Sequence, residues 1–319
     1  MFGPKDRAAL SSIVERHARL LAAAGEELGA RPLVLPTAEF FPDRFTGDEA
    51  SARRLVSRML EHAGLVDVPV TTRVVEEDEP ESPHGGGCST GCAVPVANAA
   101  SAPRLVDDGD GFLLNVPAPE LAHPVVLTTM IARALGHVLL VETSPSGAVI
   151  EGPVDLVADY AAVALGFGPL MLAGAYIYSS GCGGPRVARV TRAALPELAV
   201  LTALFMEMGG HGARKIMKEL GATQADALSH ALEWARSNRE LCDRLKRDPE
   251  RVAAGDYSLR DAKPWLVRLF ERKAKPADDD IPADLLAPRA AAPKPRDAAS
   301  EELANLVHEA LEAARTDAE

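Results

Sequence analysis

The chain has 319 residues, 47% hydrophobic but only 4% aromatic, with 34 Lys and Arg against 46 Asp and Glu for a formal charge of −12. So acidic a balance, with no cluster of basic residues, excludes a nucleic-acid partner, whose affinity would come from phosphate neutralisation. The apolar fraction suffices for a core, but with two Trp, four Tyr and eight Phe that core must be built of Ala, Leu and Val, which favours close-packed helices.

Residues 6–28 repeat apolar side chains at helical spacing and stop at Gly29. Charged residues interrupt this stretch, so it lacks the apolar run of a secretory leader, and the protein is expected in the cytoplasm. There its four cysteines are thiols or metal ligands rather than a disulfide scaffold. Residues 32–36 read as a short extended piece, 48–62 as a helix closed by Gly64, and 68–75 as a strand running into the acidic loop edge 76–79. Residues 80–102 are rich in Gly, Ser, Ala and Cys. Residues 104–107 and 111–116 flank Asp108, Gly109 and Asp110, a hairpin signal.

From Pro124 the pattern changes to long apolar helices, through Val141, then from about Val154, then over residues 195–208 with Gly209 and Gly210 as the end. No charge occurs over residues 160–185, a length that would cross a bilayer. Gly166, Gly168, Pro169 and Gly174 interrupt it, and Asp155 and Asp159 precede it. A buried helix pair is therefore expected, not a membrane span. Capping-box patterns at residues 223–226 and 258–261 open two further helices, carrying Trp234 and Trp265. The expected organisation is an α+β domain, predominantly α, over residues 1–272, a Pro-, Ala- and Lys-rich disordered linker over 273–299, and an amphipathic C-terminal helix within 300–319.

The most informative stretch is Arg133-Ala134-Leu135-Gly136-His137, followed after a loop by Asp155 and Asp159. It resembles the active-site helix of the zincin metallopeptidases, in which His-Glu-x-x-His sets two zinc ligands one turn apart and the Glu acts on metal-bound water. The layout is gluzincin-like, with Asp155 at the third-ligand position and Asp159 at the outer carboxylate that supports it. The segment from Leu33 to Asp43, the Leu-Gly-His at 135–137 and Gly166-Phe167-Gly168 are similar to an uncharacterised bacterial group of zincin-like proteins, over roughly residues 30–240. The resemblance implies a zincin-like helical core with a small N-terminal β portion.

The departures from that pattern are chemical. Arg133 stands where the family has its first His, Ala134 where it has the catalytic Glu, and the third ligand is the shorter Asp155. A guanidinium stays protonated and offers no lone pair to a metal, and without the Glu there is no general base. Arg133 lies among Ile131, Leu135 and Val138, so its charge must be paired. Asp155 is the expected partner, with Asp159 contributing, in an ion pair that takes the place of zinc between the two helices. The alternative for His137 is a core histidine bonded to backbone.

The expected function is that of a catalytically inactive pseudo-metallopeptidase which binds or scaffolds a protein or peptide, with no cofactor. One alternative is a divergent metal-dependent hydrolase holding zinc through His137, Asp155 and either Asp159 or Glu142. Another is an assembly protein that recruits its partner through the C-terminal helix. A separate soft-ligand set, His84, Cys88 and Cys92 with Cys182, is a weaker candidate for zinc, because Cys-x-x-x-Cys is not the common knuckle spacing. Neither Gly85-Gly86-Gly87 nor Gly209-Gly210-His211-Gly212 continues as a phosphate loop. His17, His62, His123, His211, His230 and His308 show no partner spacing and are expected to be solvated or capping.

Overall fold

The computed structural model describes residues 4–25, 28, 31–76, 104–143, 152–181 and 184–262. Several expectations lie outside these residues: the stop at Gly29, the segment 80–102 with His84, Cys88 and Cys92, and Cys182. So do the helix carrying Trp265, His308, the linker 273–299 and the C-terminal helix.

The fold is α+β and predominantly α. Helix α1 (Pro4–Ala24) ends four residues earlier than its apolar repeat implies, where Gly25 takes a positive φ. Helix α2 (Glu49–Ala63) is bounded as its sequence dictates. Asp48 accepts from Ser51 N at its start, Ser51 Oγ returns a bond to the Asp48 backbone, and Gly64 closes it in the left-handed region. Strands β1 (Val70–Val75), β2 (Leu105–Asp107) and β3 (Phe112–Pro117) form a sheet in the order β1-β3-β2. The hairpin is the β2–β3 pair, with Leu105 opposite Leu114. β1 joins the other side of β3 in parallel, with Val70 opposite Phe112.

After a 3₁₀ turn (Ala118–Ala122) the chain enters α3 (Pro124–Thr143). The uncharged run then divides into α4 (Val154–Ala162), a π-helical turn (Val163–Phe167), α5 (Gly168–Ala175) and the hairpin β4 (Ile177–Gly181) with β5 (Gly184–Ala188). The break falls at Gly166, whose φ of 94° is reserved for glycine and where a Cβ would collide with the Pro32 carbonyl oxygen. Gly166 O in turn accepts from Val34 N at 3.0 Å. The extended segment 32–36 is thus threaded against the π turn, with Leu33, Val34 and Leu35 all buried.

α6 (Leu195–Gly209), α7 (Ala213–Glu219), α8 (Ala222–Ser237), α9 (Arg239–Arg247) and α10 (Pro249–Ala253) complete the fold, with Trp234 of α8 fully buried. Two sequence expectations change here. α8 starts at Ala222 after Gly221, with no side-chain cap, so Thr223 lies inside the helix and cannot cap it; Gln224 donates to the Tyr176 carbonyl. Residues 258–261 are non-helical; Asp261 pairs with Arg7, and Arg260 N donates to Asn238 Oδ1. Two stretches, Pro124–Thr143 and Val154–Ala175, are long and apolar enough to cross a membrane, and 61% and 89% of their most apolar windows are buried within the protein. They form the centre of the core, where α3 packs chiefly on α4 and α5, and α6 on α5 and α8.

His17 of α1 departs from its expected solvated place. It has no exposure and neither ring nitrogen has a hydrogen-bond partner, so burial pushes its pKa down to about 4 from 6.5. The fold holds the ring neutral, while the unfolded chain takes up a proton once the pH falls below 6.5. This contribution to stability is complete above pH 6.5 and is lost progressively down to about pH 4. At about 1.4 kcal/mol per unit, the loss amounts to roughly 3 kcal/mol. His17→Leu is expected to be at least as stable as the wild type at neutral pH and to flatten the decline in urea midpoint between neutral and mildly acidic buffer. An undiminished decline would place the acid sensitivity elsewhere.

Candidate functional site

The site is built on two helices that present pairs of polar residues at one-turn spacing, Arg133 and His137 on α3 and Asp155 and Asp159 on α4. Gly136 brings the two helices together: a Cβ there would collide with the Ala158 carbonyl oxygen. The glycine of Leu-Gly-His is therefore a requirement of the crossing, which sets Arg133 and His137 against the carboxylates of α4.

Arg133 is 9% exposed and Asp159 is fully buried. The guanidinium donates from Nε to Asp159 Oδ1 at 2.7 Å, from Nη2 to Asp159 Oδ2 at 3.4 Å, and from Nη2 to the Val190 carbonyl at 2.6 Å. Nη1 lies 3.8 Å from Met130 Sδ. Asp159 Oδ2 also accepts the backbone N–H groups of Arg192 at 2.5 Å and Ala193 at 2.7 Å. Each member of the pair thus has backbone partners besides the other, Val190 O for Arg133 and two N–H groups for Asp159, which favours tolerance of a buried ion pair. The arrangement ties α3, α4 and the segment 190–193 ahead of α6 into one network.

This corrects the expected pairing. Arg133 joins Asp159, not Asp155, because Asp159 is the carboxylate fully enclosed by the helix crossing. Asp155, one turn earlier, lies at the edge with about half of its side chain exposed. There Asp155 Oδ1 is 3.4 Å from His137 Nε2, and Oδ2 is 3.5 Å from Arg192 Nε. His137 Nε2 is buried without an aligned hydrogen bond. Burial pulls the His137 pKa below its ordinary value; Asp155 opposes this and the nearby Arg133 charge adds to it. The net effect favours the neutral ring.

Ala134 is buried and supplies no carboxylate, and Glu142 lies exposed near the end of α3. Among the described residues, no group of three or more His, Cys, Asp or Glu side chains is disposed to hold a metal ion. The residues here do not fit zinc. Asp159 is fully buried and engaged by four N–H donors, Arg133 brings a permanent positive charge, and His137 and Asp155 are the two remaining side chains with lone pairs at the accessible edge. Arg192 carried no signal in the sequence, since it stands in an irregular stretch and half of its contribution is a backbone N–H.

Three further histidines have local contacts. His62 Nε2 lies 2.9 Å from the Phe40 carbonyl, with the ring edge-on to Phe40 and Phe41, and His211 stacks on Phe205. His230 lies at the surface 3.8 Å from Asp226. No protein-family model, curated protein or solved structure matches the chain.

Removing the charge of Asp159 while keeping its shape strands Arg133 in the core. Asp159→Asn is expected to cost roughly 3–5 kcal/mol, against at most about 1 kcal/mol for Asp155→Asn at the exposed edge. Denaturant unfolding of the two variants measures the difference, and equal losses would contradict the assignment. Gly136→Ala, opposed by backbone that cannot rotate aside, is expected to cost about 1–3 kcal/mol.

Proposed function

We propose that the chain is a non-catalytic, zincin-like protein in which an ion pair has taken over the structural part of a metal centre, and that it acts by binding a protein or peptide. The engagement of Asp159 carries the reading. A carboxylate at the outer supporting position of a metal centre must be free to bond a ligand, but Asp159 is occupied by Arg133 Nε and Nη2 and by two backbone N–H groups. The spacing supports the ancestry: two one-turn pairs face each other across a close crossing of α3 and α4, as the His-Glu-x-x-His layout requires. Against hydrolysis of the zincin type stands the residue at the position of the family's general base, which is Ala134.

Metal analysis of the purified full chain, before and after His137→Ala, tests the proposal. The wild type is expected to carry no stoichiometric zinc dependent on His137 and to leave casein and unstructured peptides uncut. The combined change Arg133→His, Ala134→Glu and Asp155→Glu is expected to create a chain that takes up one zinc. Stoichiometric wild-type zinc that disappears in His137→Ala would overturn the proposal in favour of a divergent metal-dependent hydrolase.

A further inference from the structure

We draw no further inference here: the strongest candidate, the outward face of the β4–β5 hairpin, where Tyr178 and Val187 stand opposite each other across the two strands and are both exposed, carries nothing because nothing in the structure shows what covers it.

Discussion

The Arg133–Asp159 pair is the interaction on which the arrangement of the centre depends. A guanidinium and a carboxylate removed from water cost several kcal/mol each, and their attraction repays this only when the remaining donors and acceptors are satisfied. That condition brings in backbone from a third place in the chain. The Val190 carbonyl completes Arg133, and the N–H groups of Arg192 and Ala193 complete Asp159. The pair is therefore a junction of α3, α4 and the approach to α6. Glu197 continues the order into α6 by accepting the Ala194 N–H. Because the junction is enclosed by Ala, Val and Leu, its geometry has little freedom to relax.

The aromatic-poor core makes such a junction feasible. Small side chains let helices cross closely, as at Gly136 on Ala158, Gly174 on Thr129 and Gly168 on Thr202. Close crossings shorten the distance that an Arg or Asp must span, so polar side chains on adjacent helices meet directly. Openings occur at the periphery, where loops meet helix ends, as in the groove between α2 and the start of α3.

The site was partly legible in advance. Arg133, His137, Asp155 and Asp159 stand out because charges are scarce in the apolar stretches around them. Which carboxylate Arg133 would take was not legible, since both lie on one face of α4 and differ only in depth. That difference arises from the helix crossing, which buries one turn and leaves the other at the edge. The bonds from Arg192 N and Ala193 N were invisible for a simpler reason: a backbone N–H has no residue identity. His17 illustrates the converse, for its place in an amphipathic repeat suggests a polar face, whereas packing on both sides of α1 encloses it.

The elements were read most faithfully where local chemistry specifies them: the Asp48 and Ser51 cap with Gly64 on α2, the Asp108-Gly109-Asp110 turn, and the long apolar helices α3 and α6. Each depends on residues within a few positions of one another, so the order of the amino acids carries the information directly. The parallel addition of β1 to β3, the break at Gly166 against Pro32, the choice of Asp159 over Asp155 and the groove between α2 and the start of α3 all join residues distant in the chain. Composition and spacing therefore established an α-rich protein with a few charges set in an apolar centre. Folding alone selected their partners, because depth of burial and the supply of backbone hydrogen bonds exist only once the helices have packed.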